Sequence, residues 1–205
     1  MNTVFKQLII LFLIIATGLG VYFGALLPLA KSQSFLDAQK SLGLMRTTDD
    51  LKKFYDVPLN LYSPIGQEEV VKFSASTFLD VVYGQQLDLQ TARWLVSYIE
   101  PYLFKDEVRH LIMLGDMYRA LWERYGGDPA DFAKAEGYYL TAHRIGPKLP
   151  PVLYRLIEIY RERGDAENVK KYAGIVLENW PDDAKVRAVL EEVTAPAPTT
   201  SNGAQ

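Results

Sequence analysis

The residues of this chain whose types and spacing first suggest acid–base or metal chemistry are two histidines, His110 and His143, and adjacent carboxylates such as Glu68-Glu69, Asp182-Asp183 and Glu191-Glu192. A helical metal site or a histidine general base is signalled by two histidines one turn apart, or by a histidine and a carboxylate in one short motif. Neither histidine has such a partner, and pooling both with Asp106 or Glu136 gives no local ligand spacing. They read as partly exposed structural residues. The carboxylate pairs fall at the ends of expected helices, where the helix dipole and solvent account for them. Gly126-Gly127 is not followed by the lysine of a phosphate-binding loop and reads as a turn. Cysteine is absent, which removes disulfides, thiolate nucleophiles and thiolate metal sites together. The expectation is a protein that is not an enzyme, with no catalytic residue, no cofactor and no metal.

What the chain does offer is surface, and the segments that position it follow from composition. The formal charge of −3 lacks the basic excess that binding a phosphate backbone requires, so no nucleic acid is expected as a partner. From Leu8 to Ala30 the chain runs without a charge. At about 1.5 Å per residue such a helix matches a hydrocarbon core of about 30 Å. A cleaved signal peptide is the competing reading of Lys6 followed by an apolar run. The length of the run and the poor small-residue sites at Phe23-Gly24-Ala25 and Pro28-Leu29-Ala30 favour a retained anchor. The short amino terminus is expected in the cytoplasm, which makes this a single-pass protein of the cell membrane with its soluble part extracytoplasmic. Ala16, Gly20 and Gly24 fall four apart, a spacing at which small residues let two membrane helices approach closely; this is the basis for expecting a homo-oligomer as one alternative.

Beyond the anchor every segment carries helical periodicity. Residues 31–46 either continue the helix or form a stalk. Thr47 with Asp50 is a capping-box start for a short helix expected to end before Pro58. Ser63-Pro64 is expected to open the next helix, running to about Tyr83, and Asp88 the one after, weakened at Pro101. Further helices are expected from Glu107, from Asp128-Pro129, over Val152 to Arg163, over Ala166 to Asn179 and over Asp183 to Val193, with Gly164-Asp165 as a turn and cap. No segment needs to be a strand. The expected fold is all-α, divided into an anchor (1–30), a stalk and short helix (31–63), a helical repeat domain (64–193) and a disordered tail (194–205). Trp94, Trp122 and Trp180 are expected to fill core or interface.

Pro147 and Pro181 are 34 residues apart, as are Ala135 and Val169. The order Leu153, Leu156, Ile157, Tyr160, Gly164-Asp165, Val169, Ala173, Val176, Pro181 resembles a tetratricopeptide repeat, and Leu111, Leu114, Gly115, Tyr118, Ala135, Tyr139, Ala142, Pro147 resembles the same pattern with a lengthened turn. Leu111 and Leu153 stand where that family has tryptophan, and Ile157, Val169 and Ala173 also depart from it. The resemblance implies an α-solenoid of antiparallel helix pairs whose first helices line a concave groove. Its inward positions correspond here to Arg109, Ile112, Asp116 and Arg119 in one unit and Tyr154, Glu158 and Arg161 in the other. Such a groove implies a protein or peptide partner, since arginine and tyrosine pair with carboxylates and stack on flat groups. The other reading of the same residues is a solvated face held by local ion pairs, such as Asp116 with Arg119 and Glu158 with Arg161. Residues 51–73 also look like segments in the soluble tails of O-antigen polymerase or ligase proteins, which implies an accessory role in envelope polysaccharide or cell-wall assembly. The function expected first is a membrane-anchored scaffold at the cell envelope. The accessory subunit and a self-associating structural component are the alternatives.

Overall fold

The computed structural model describes residues 3–45, 47–84 and 86–195, and the chain divides into two compact units, Met1–Leu103 and Phe104–Gln205. The regular elements among the described residues are all helices, with no strand. In the first unit one helix runs unbroken from Thr3 to Leu44. It comprises α1 (Thr3–Val21), a π turn over Tyr22–Leu26, α2 (Leu27–Ser41) and a final 3₁₀ turn. Its amino-terminal part is apolar, exposed, and long enough to cross a membrane. The stretch that sequence leaves as either helix or stalk is therefore helix, and α2 packs against α3 (Thr48–Asn60).

Helix α3 opens on the expected capping box. Thr47 Oγ1 accepts from Asp50 N at 3.1 Å, and Asp50 Oδ2 accepts from Thr47 N at 3.1 Å. It does not stop before Pro58 but includes it. A proline this late in a helix forfeits a single backbone bond, and Leu61 N donating to Val57 O at 2.9 Å closes the last turn beyond it. Helix α4 (Gln67–Gly84) begins later than the Ser63-Pro64 pair suggests. Those residues instead form a turn in which Ser63 Oγ donates to Ile65 O at 2.6 Å, and Gly66, at φ +88°, holds a backbone angle that a side chain would disfavour. Helix α5 (Leu89–Ile99) starts as expected on Asp88, whose carboxylate accepts from Thr91 N at 2.9 Å. The core of this unit gathers Tyr55, Val71, Ala75, Phe78, Val82, Val96 and Ile99. The Tyr55 and Phe78 rings meet edge to face at 4.8 Å, and Tyr98 Oη donates to Asp56 Oδ1 at 2.8 Å.

The second unit is a run of antiparallel helices, each packed on the next. The chain passes through α6 (Val108–Arg124), α7 (Pro129–Ile145), α8 (Pro150–Glu162), α9 (Ala166–Asn179) and α10 (Ala184–Thr194). Asp128, Asp165 and Asp183 accept from backbone N–H groups at the starts of α7, α9 and α10. Each satisfies a donor that a helix start otherwise leaves unpaired. Apolar faces of α6 and α8 (Leu111, Leu114, Leu121, Leu153, Leu156) meet Ala135, Ala142, Val169, Ala173 and Val176 of α7 and α9 with essentially no exposure. At Gly115, α6 and α7 approach closely. A Cβ there would lie 2.2 Å from Cε1 of Tyr139, so the missing side chain is the space that the tyrosine ring occupies. Trp122 packs edge-on against Phe132 at 5.2 Å, and Trp94 stacks on Tyr98 at 5.0 Å. Of the core or interface roles expected of Trp180, it does not take the core one: it follows the end of α9 and stays exposed.

Candidate functional site

The α6 face that the repeat pattern points inward carries Arg109, Ile112, Asp116 and Arg119, spaced so that they share one side of the helix. On α8 the corresponding side carries Tyr154, Arg155, Glu158, Arg161 and Glu162. The structure brings the middle of these two rows together as one ion network. Asp116 is buried, at 8% exposure. Its Oδ1 accepts from Tyr139 Oη at 2.6 Å and lies 2.7 Å from Arg155 Nε, while Arg155 Nη2 donates to Oδ2 at 3.1 Å. One turn further, the Arg119 guanidinium pairs with three carboxylates: Glu123 on its own helix, and Glu158 (2.9 Å) and Glu162 on α8. Glu158 also holds Arg155 at 3.1 Å and Lys185 of α10 at 3.5 Å. In place of the local pairs that spacing alone suggests, Asp116 with Arg119 and Glu158 with Arg161, Asp116 pairs with Arg155 and Glu158 with Arg119 across the helices, while Arg119–Glu123 and Arg155–Glu158 are the local pairs within them.

The remaining candidates lie around this floor. Arg109 is exposed and pairs with Glu107 at 3.4 Å, and Ile112 is half-buried. Tyr154 Oη donates to Asp183, the residue that caps α10. Arg161 reaches Glu192 of α10 at 3.2 Å, with both side chains about half in water. Arg155, Glu123 and Lys185 join the network without having been singled out from sequence. Their signal is Arg155, Glu158 and Glu162 at three- and four-residue spacing on a helix whose opposite face is apolar. The membrane-helix candidates lie elsewhere: Ala16 is exposed, and a Cβ added at Gly20 or Gly24 would meet nothing within 4 Å.

The network's electrostatics follow from its half-dry position. Burial opposes the charge of Arg119, but its carboxylates outweigh that and hold its pKa above the ordinary value. Burial likewise opposes ionisation of Glu158, and the hydrogen bond from Arg119 overrides it. For Asp116 the balance goes the other way: burial raises its pKa despite Arg155 and Tyr139. Glu162 is pushed up to about 7 by burial and by the neighbouring Glu123, against the pull of Arg119. A carboxyl whose pKa is higher folded than unfolded stabilises the fold while protonated, and that stabilisation is lost as pH rises through the folded value. Between pH 4.5 and about 7, Glu162 therefore makes the second unit less stable as pH rises. His143, whose pKa burial lowers, works in the opposite direction near its ordinary value, so the readout is a comparison with Glu162→Gln. Wild type is expected to lose about 1 kcal/mol relative to the variant across that interval, after allowing for solvent screening. A wild-type-minus-variant difference that is flat, or that rises with pH, would remove Glu162 from this role.

Neither histidine belongs to the network. His110 is fully buried rather than partly exposed: its Nδ1 accepts from Phe104 N at 3.0 Å, and its ring lies 5.0 Å from that of Phe104. It thereby ties down the backbone just ahead of α6, with its ring proton on Nε2. His143 is half-buried, edge-on to Tyr172 at 5.4 Å. Among the described residues no three His, Asp or Glu side chains converge as a metal site would require. Comparison of the chain with protein families, with curated proteins and with solved structures finds no match.

Proposed function

We propose that this chain is a membrane-anchored scaffold of the tetratricopeptide type, whose α6, α8 and α10 present a recognition face to a protein or peptide partner. The observation that carries this reading is the network itself. Asp116, Arg119, Arg155 and Glu158 hold α6 and α8 in fixed register. Arg109, Tyr154, Arg161 and Lys185 stand around them with side chains open to solvent or tied to the next helix. A rigid charged floor with exposed arginines and a tyrosine at its rim suits an extended acidic or aromatic segment, because little side-chain order remains to be lost on binding. The repeat assignment has its own support: Ala135 and Val169, 34 residues apart, are fully buried at matching places on α7 and α9.

Retention of the anchor belongs to the same proposal. Both weak cleavage sites lie within the unbroken helix that ends at Leu44. Just beyond the second, Lys31 is buried, with its Nζ donating to Leu61 O at 2.6 Å. A cut there would fall inside a continuous helix, directly ahead of the residue that ties α2 to the turn before α4. The test is affinity purification of the detergent-solubilised full chain beside Arg109→Glu/Arg161→Glu. Both substituted side chains are exposed, so the melting temperature should hold. A specific partner recovered by wild type and lost by the variant supports the recognition face. Recovery of the same partners by both would place binding elsewhere.

A further inference from the structure

The first unit has a second apolar surface that its own core does not use. Tyr62 and Ile65, in the turn between α3 and α4, are 67% and 62% exposed, and Leu36 of α2 and Phe73 of α4 are about half exposed. Between α2 and α4, Leu36, Ile65 and Phe73 border a groove of about 490 Å³ that Pro28, Phe35 and Val70 also line, with Lys31 and Glu69 as its charged members. An open apolar groove beside exposed aromatic and aliphatic side chains is unfavourable in water and marks a contact surface.

Its position relative to the apolar helix identifies the occupant. The uncharged run ends at Ala30, and Lys31 is the first residue beyond it. Lys31 turns into the protein instead of reaching for headgroups, and its Nζ donates to Leu61 O and to Gln67 Oε1 at the two ends of the turn. Those bonds hold residues 61–67 beside the point where the helix leaves the hydrocarbon. The level is fixed, since α2 is also tied to α4 by Gln39 Nε2 donating to Thr77 Oγ1 at 2.9 Å and by the Phe35 and Phe73 rings at 6.4 Å. With no flexible segment between the apolar helix and this unit, the unit cannot float away from the bilayer. From Lys31 to Leu36 the helix rises about 7.5 Å, the depth of a headgroup layer. Tyrosine and large aliphatic residues at that level match the composition of membrane–water interfaces.

We infer that the 61–67 turn and the groove between α2 and α4 are a lipid-binding surface, seated in the interface of the bilayer that the amino-terminal helix crosses. The inference rests on the reading of that helix as a retained span. Ile65, which shares the groove with Pro28 and Lys31, meets the upper ends of the phospholipid acyl chains, and Leu36, Phe73 and the Tyr62 ring lie at headgroup level. The unit is thereby held against the membrane by two contacts rather than one, which fixes its tilt.

The chain contains no cysteine, so single replacements Tyr22→Cys, Ile65→Cys and Leu44→Cys in the full-length protein each accept one environment-sensitive fluorophore. The labelled proteins are reconstituted into phosphatidylcholine vesicles with or without acyl-chain spin-labelled phosphatidylcholine. Emission is expected to fall at positions 22 and 65 and to stay unchanged at position 44, which lies at the far end of the same helix and is 75% exposed. Quenching at 22 with none at 65 overturns the lipid-binding surface and leaves the span in place. Absence of quenching at 22 removes the span, and the surface with it. Equal quenching at 65 and 44 contradicts the assigned level.

Discussion

Replacing Asp116 with alanine is expected to cost the second unit about 2–4 kcal/mol, the largest effect of any single change at the candidate site. The carboxylate is buried and takes bonds from two directions, Tyr139 Oη at 2.6 Å and Arg155 Nη2 at 3.1 Å. Alanine leaves the Tyr139 hydroxyl, on a side chain with no exposed surface, without its acceptor. It also frees Arg155, whose side chain is 37% exposed and keeps Glu158 as a partner, although its Nε is buried. Most of the penalty therefore comes from the tyrosine and the cavity. Asp116→Asn keeps an acceptor for Tyr139 and gives up a charge that burial already disfavours, so it should cost about 1 kcal/mol. Thermal unfolding of the full chain in detergent, followed by circular dichroism, checks both. For a unit of this size the alanine variant should melt roughly 10–20 °C lower. An alanine variant within a few degrees of wild type, or an asparagine variant as weak as the alanine one, would show that the buried carboxylate does not organise the α6–α8 contact.

Gly115→Ala is the second large effect, and its sign runs against helix propensity. Taken alone, the exchange favours a helix by about 1 kcal/mol. Here the new methyl would fall 2.2, 2.5 and 2.8 Å from three ring carbons of Tyr139. That ring is held by its bond to Asp116 and by full burial, so it cannot swing away as an exposed chain end would. Overpacking of this kind costs about 1–3 kcal/mol, and the hydrogen bond is lost if the ring moves. A net loss of about 2 kcal/mol is expected. Gly137→Ala is the internal control: it also lies mid-helix, but nothing stands within 4 Å of its new Cβ, so it should be neutral or stabilising. Combining Gly115→Ala with Tyr139→Leu should cost less than the two separately, because the shortened side chain vacates the contested space. Strict additivity in that double variant would mean that the glycine is not there for the tyrosine.

The helical architecture was legible in sequence where local chemistry decides it. Asp88, Asp128, Asp165 and Asp183 announce helix starts because a carboxylate satisfies nearby N–H groups without help from the rest of the fold, and α9 occupies the expected residues. Expectation and structure part where tertiary packing overrides a local rule. Pro58 is tolerated because it falls in the last turn of α3 on a buried face, and Ser63-Pro64 cedes the start of α4 to residues beyond Gly66. His110 is fully buried because a backbone N–H from Phe104 supplies its partner, an acceptor role that spacing does not reveal. At the candidate site, sequence placed Asp116, Arg119, Tyr154 and Glu158 on facing rows but not their pairing. Which charge meets which depends on the register of α6 against α8, set by Gly115, Tyr139 and the leucine layers, and not on residue spacing within either helix. Arg155 shows this most clearly, as a residue without motif status that supplies the cation paired with Asp116.

The most direct test of the recognition face is to replace Tyr154 with the photo-crosslinking residue benzoylphenylalanine in the full-length protein and irradiate it in its native membrane. Lys170, exposed on α9, serves as the control position. If α6, α8 and α10 present a binding surface, position 154 should yield a discrete adduct with a second polypeptide. That adduct should be absent from position 170 and abolished by Arg109→Glu/Arg161→Glu. No adduct at 154, or the same adducts at 154 and 170, would contradict a partner-binding role for this face.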